Sequence, residues 1–80
     1  MTREAVFEII NEIFRDEFDD DTLVIVDETN AEDIEDWDSL AHVELVMAME
    51  KAFSMKFSLK EVGELKNVGE MADLILRKMG

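Results

Sequence analysis

Between Arg3 and Phe18, the residues Val6, Ile9, Ile10, Ile13 and Phe14 return at the three and four spacing of a helix, while Glu8, Glu12 and Arg15 take the other side. A helix of about four turns with one apolar face must bury that face against neighbours in the same domain. The chain has 80 residues, enough for a single domain spanning 1–80, and a chain of that size buries only about 60% of its unfolded surface. It has no cysteine, so neither disulfides nor thiolate metal sites reinforce the core. Helix packing has to carry the fold.

Apolar residues and alanine dominate again from Ser39 to Phe53, behind a cap at Asp38 or Ser39. On a helical wheel Ala41, Leu45, Ala48, Met49, Ala52 and Phe53 fall on one side with Val46 at its edge. Leu40, Val43, Glu44, Met47, Glu50 and Lys51 fall on the other, and this mixture of apolar and charged groups has the make-up of a protein-docking face. A helix buried on most sides gives a similar pattern.

Phe57 to Val62 reads as the start of a third helix, with Ser58 as cap, Glu61 closing a capping box, and a staple from Phe57 to Val62; Gly63 shortens it. The fourth helix repeats this grammar with Asn67, Glu70 and the apolar residues Val68, Met71, Ala72, Ile75 and Met79. Arg77 and Lys78 complement the dipole of its last turn. The expected fold is all-α, a small four-helix bundle with a long first loop and a short third helix. That loop, Asp19 to Asp38, is too long to lie loose, and Leu23, Val24, Ile25, Val26 and Ile34 are its expected anchors. A strand at Leu23–Val26 would find no sheet partner.

The formal net charge is −13, and residues 16 to 38 hold 12 acids and no base. Such a field disfavours nucleic acid and anionic membranes and attracts partners displaying lysine and arginine, although solubility alone also accounts for it. There is neither a cleavable apolar leader nor a run of about 18 apolar residues, so the expected location is the cytoplasm, without stable membrane insertion.

Catalytic constellations are missing. His42 is the only histidine and stands three residues from Ser39, but no acid is plainly set to orient its ring, so a histidine bordering the core is the better reading. The acids from Asp16 to Asp21 lack the central glycine and alternation of a calcium loop, and no metal site is expected. Trp37 is read as closing the edge of the core and anchoring the acidic loop. What remains is Asp38-Ser39-Leu40 at a helix start, where free backbone N–H groups favour a phosphate on the serine. Taken alone, the tripeptide is equally an ordinary helix start.

The segments DWDSLAHVELVMAMEKAF and FSLKEVGELKNVGEMADLI resemble the acyl carrier proteins of the phosphopantetheine-binding family, over nearly the whole chain. The likeness includes the D-S-L attachment motif, the V-E-L-V-M helix and an N-V-G-E segment similar to the family's T-V-G-D. It implies that Ser39 receives 4'-phosphopantetheine from coenzyme A through a separate phosphopantetheinyl transferase, with Asp38 supporting the modification. It further implies that acyl groups ride on the terminal thiol as thioesters, so the chain is a carrier and not an enzyme. Leu40, Val43, Glu44, Met47 and Glu50 then correspond to the recognition face for acyl-loading and acyl-processing enzymes with basic docking patches. Ala48, Met49 and Phe53 would line the interior that shelters an acyl chain.

Ala41 and Lys51 depart from the acidic run usual in fatty-acid carriers, and Trp37 replaces a smaller residue. These departures favour a dedicated acyl pathway, of polyketide or another specialised type, over housekeeping fatty acid synthesis. The rival of the same kind is an aminoacyl carrier of peptidyl or D-alanyl type, and the rival of another class is an unmodified acidic helical adaptor. Charge repulsion favours a monomer.

Overall fold

In the computed structural model, which describes residues 1–79, the apolar stripes close on one another as a bundle of four helices: α1 Arg3–Glu17, α2 Ser39–Phe53, α3 Leu59–Gly63 and α4 Val68–Met79. Thr2 caps α1 by accepting from the Ala5 N–H at 3.1 Å. Val6, Ile10 and Phe14 of α1 are buried against Leu45, Met49 and Phe53 of α2 and against Val68, Met71, Ala72, Leu74 and Ile75 of α4. Two residues of the apolar stripes are exposed. Ala52 is exposed one residue from the end of α2, and Met79 is 39% exposed in the last turn of α4. Leu74 is buried in the core although it lay outside the expected stripe.

The connection from α1 to α2 contains no strand and one 3-10 turn, Ala31–Asp33. Its anchoring differs from expectation. Ile25 is 3% exposed and Leu23 and Ile34 pack partly against the core, but Val24 and Val26 are 71% and 48% exposed. Because the segment runs extended, successive side chains point to opposite sides, and only one set can face the bundle. Its backbone is paired by side chains of α1. Asn11 accepts from the Ile25 N–H at 2.7 Å and donates to the Phe7 and Ile25 carbonyls at 2.8 and 3.2 Å, while Arg15 Nε donates to the Leu23 carbonyl at 2.8 Å.

The far part of the loop closes on the start of α4. A helix begins with N–H groups that have no partner inside it. Here the Val68 N–H donates to the Thr29 carbonyl at 2.8 Å and the Gly69 N–H to the Asp27 carbonyl at 2.9 Å. Arg3 completes the joint, pairing with Asp27 and Asp73 and donating to the Gly69 carbonyl at 3.2 Å. Asn67 caps α4 by accepting from the Glu70 N–H at 2.9 Å, and Glu70 accepts in return from the Lys66 N–H, one residue before the expected box partner. On α3 the Ser58–Glu61 box forms as expected.

Gly69 has a steric reason to be glycine. A Cβ built there would lie 2.9 Å from the Asp27 carbonyl oxygen, which cannot retreat without breaking the Gly69 N–H bond. Overpacking of this kind costs about 1–3 kcal/mol, whereas helix propensity favours alanine over glycine by about 1 kcal/mol. Gly69→Ala is therefore expected to lower the melting temperature, by about 4–8 °C for a net cost of about 1 kcal/mol. A more stable variant would show that the loop does not hold α4 as described.

Candidate functional site

The first turn of α2 is set by Asp38, whose Oδ1 accepts from the Ala41 N–H at 2.8 Å. The cap is thus the aspartate, and Ser39 is the first helical residue, exposed and beside it. From Ser39 the exposed face of α2 runs through Leu40, Val43 and Met47, which are 68%, 53% and 61% exposed. A contiguous row of apolar side chains left in solvent is costly unless something covers it. Glu44 lies exposed within the row.

The other acid of that face behaves differently. Glu50 is half-buried, and its Oε2 accepts from the Phe57 N–H at 2.9 Å, tying the end of α2 to the approach to α3. Its backbone carbonyl also accepts from the Met55 N–H at 3.0 Å across Ser54, which ends α2 in the left-handed region at φ 52°. Glu50 therefore has structural duties that its place on the helical wheel does not reveal. Ala41, one of the two departures from an acidic α2, is 8% exposed and adds nothing to the open face, whereas Lys51 is exposed.

Beside Ser39 an open groove between the end of α1 and the start of α2 is lined by Glu17, Asp19, Asp36, Asp38 and Glu44 together with Phe18 and Leu40. Crowding of these carboxylates has a consequence. A hydrogen bond shared with Glu44, followed by partial desolvation and the charges of Glu44 and Asp38, raises the Glu17 pKa above the ordinary carboxylate value. Among the described residues no group of three or more histidine, aspartate or glutamate side chains is arranged to hold a metal ion.

On the other side of α2 lies a cleft of about 110 Å³, lined by Phe14, Trp37, His42, Val46 and Met49 and closed by Leu65, Val68 and Met71, with Asn30, Ala31, Lys66 and Asn67 completing the wall. Of the three interior residues named from the sequence, Met49 lines this cleft; Phe53 is buried in the core and Ala48 is half-buried, both away from the cleft. Trp37 packs edge-on against Phe14 with centroids 5.1 Å apart, so it does close the core at the acidic loop. Its indole N–H donates to His42 Nδ1 at 3.3 Å, and the two rings lie within 20° of parallel. In a catalytic triad Nδ1 would donate to an acid. Here it accepts from an indole, so His42 is not oriented as a general base for Ser39.

The serine is exposed, it sits in the helical turn whose N–H groups attract phosphate, and no side chain covers it. Among the described residues no helix is long and apolar enough to cross a membrane.

A family model described as the phosphopantetheine attachment site matches residues 8–75. The structure is also similar to that of the holo acyl carrier protein from Geobacter metallireducens, solved in solution by NMR, with a TM-score of 0.85 and 45% sequence identity over 91% of this chain and 84% of that one. The family match over most of the chain and the structural likeness agree, and the chain belongs to the phosphopantetheine-attachment family as one of its acyl carrier proteins, non-catalytic chains that hold acyl groups as thioesters through that prosthetic group.

Proposed function

We propose that Ser39 is the attachment position and that the chain serves a dedicated acyl-transfer pathway, presenting its cargo to partners that dock on Leu40, Val43, Glu44 and Met47. The observation that supports this most directly is the position of Ser39, the exposed first residue of α2, placed between the Asp38 cap and that apolar face. Attachment is a balanced exchange of phosphorus–oxygen bonds. Ser39 Oγ bonds to the phosphorus of coenzyme A that bears the pantetheine, the pyrophosphate link breaks, 3',5'-ADP leaves, and the hydroxyl proton passes to a base of the transferase. Asp38 keeps the serine at the helix start, and its remaining carboxylate oxygen is available to the magnesium ion of that enzyme. Once bound, the group supplies a terminal thiol, the only one on a chain without cysteine.

Docking would rest on two kinds of contact. Basic partners are drawn to the acids around the groove, Asp36, Asp38 and Glu44, and the exposed apolar row then completes the interface. Lys51 and Lys56 lie with Met47 and Met55 around a depression at the far end of α2, so a fitting partner carries an acid opposite that end. Glu50 is a weaker candidate for direct contact, since its carboxylate already holds Phe57. The test is the intact mass after incubation with coenzyme A, magnesium and a broad-specificity phosphopantetheinyl transferase. One phosphopantetheinyl addition, mapped to Ser39 by fragmentation, is the expected result. An unchanged mass in folded protein, with the transferase active on a control carrier, would reject the reading.

A further inference from the structure

His42 is held by one edge of its ring. Its Nδ1 accepts from the Trp37 indole N–H at 3.3 Å, and Trp37 is itself fixed edge-on against the buried Phe14. An indole N–H can only donate, so this Nδ1 carries no proton and the neutral ring carries its proton on Nε2. The bond made by one ring nitrogen thus sets the task of the other. Nε2–H is a donor of fixed tautomer on a ring anchored to the core, and it has no protein acceptor among the described residues.

That ring belongs to the turn that begins with Ser39. Side chains on a helix lean toward its N-terminus, and residues three apart are neighbours, with about 5–6 Å between Cβ atoms. At 3.6 residues per turn His42 stands about 60° to one side of Ser39, whereas Leu40 and Glu44 stand about 100° and 140° to the other. Those two line the open groove shared with Glu17, Asp19, Asp36 and Asp38. One flank of Ser39 is therefore crowded with carboxylates, and the other presents an imidazole N–H.

A phosphodiester on Ser39 adds a negative charge between these flanks. Carboxylates repel it from the groove, and no lysine or arginine lines that groove to offset them. Of the N–H groups that open α2, that of Ala41 is taken by Asp38 Oδ1 and that of His42 by the Asp38 carbonyl, which leaves those of Ser39 and Leu40. Among the side chains from Ser39 to His42, only His42 still offers a donor once the serine is esterified.

We propose that His42 holds the root of the prosthetic arm: its Nε2–H donates to a phosphate oxygen of the group on Ser39 and keeps the phosphodiester on the Trp37 side of α2, away from the acid groove. The proposal rests on the carrier reading with Ser39 as the attachment position. Phe14, Trp37 and His42 then form a line of contacts from the core to the arm. The direction in which the arm leaves the helix becomes a property of the fold.

The test uses the full chain labelled with ¹⁵N, before and after loading from coenzyme A by the transferase, with the load verified by intact mass. On loading, the His42 Nε2–H proton should move downfield and exchange more slowly with water, as a donor to a charged oxygen does. His42→Asn keeps an acceptor for the Trp37 indole but is too short to reach the phosphate, so the ³¹P resonance of its loaded form should differ from that of wild type. His42→Gln places an amide nitrogen about as far out as Nε2 and should bring the ³¹P resonance back. A histidine that only supported Trp37 would give the opposite order, because the asparagine keeps that contact. Loaded wild type with an unchanged Nε2–H signal, or a ³¹P resonance alike in wild type and His42→Asn, would overturn the role of His42 and leave the attachment reading standing. Failure of the chain to gain mass would overturn both.

Discussion

Asn11→Leu is expected to cost about 2–4 kcal/mol and lower the melting temperature by about 8 °C or more, a severe loss for a domain of this size. Leucine has the same branching and number of side-chain heavy atoms as asparagine, so the change does not open a cavity. It removes the partners of the Ile25 N–H and C=O groups while Ile25 remains buried. Each polar group left unpaired there costs about 1–3 kcal/mol. The damage should also spread. The same loop supplies the Asp27 and Thr29 carbonyls that receive the first N–H groups of α4, so the Val68 and Gly69 amides should exchange with solvent faster in the variant. A melting temperature within about 2 °C of wild type, with these amides still protected, would show that the apolar contact of Ile25 alone fastens the loop.

Asn11 also marks where sequence reading stopped. Apolar periodicity located α1, α2 and α4 closely, because a buried stripe repeats with the helix and nothing else in this chain competes with it. The capping box of α3 was equally legible, since its two residues act over three positions. The loop was not. A polar residue in a helix looks solvated until the chain folded over it is known, and Asn11 and Arg15 lie one turn apart, both bonded to the loop. Leu23 to Val26 looked like a continuous anchor because composition does not show that an extended segment divides its side chains between two sides.

The candidate site was legible to different depths. Asp38-Ser39-Leu40 and the exposed row Leu40, Val43 and Met47 follow from a local motif and a helical period, and both lie within one element. The cleft draws its wall from three helices and two connections, so no single period marks it. Trp37 and His42 were read separately, as a core-edge aromatic and a satisfied histidine; the structure joins them by one hydrogen bond. Glu50 was assigned by its angle on the wheel, but its side chain is long enough to reach the Phe57 N–H.

Ser39→Ala and Asp38→Ala should separate attachment from folding. Ser39 is the first residue inside α2 and not its cap, so alanine there should change stability by less than about 0.5 kcal/mol, within the range of an ordinary surface substitution. It should nevertheless abolish the mass addition completely, because no other hydroxyl stands beside Asp38 at the helix start. Asp38→Ala removes the acceptor of the Ala41 N–H and should cost about 1 kcal/mol, as loss of a helix cap does. That variant should still fold, and on the proposed reading its loading should slow, since the carboxylate offered to the transferase's magnesium ion is gone. Stability and loading therefore move in opposite orders: the serine change spares the fold and ends attachment, whereas the aspartate change weakens both. Retention of the addition by Ser39→Ala would move the attachment to another residue and sever the link between the helix start and the carrier role.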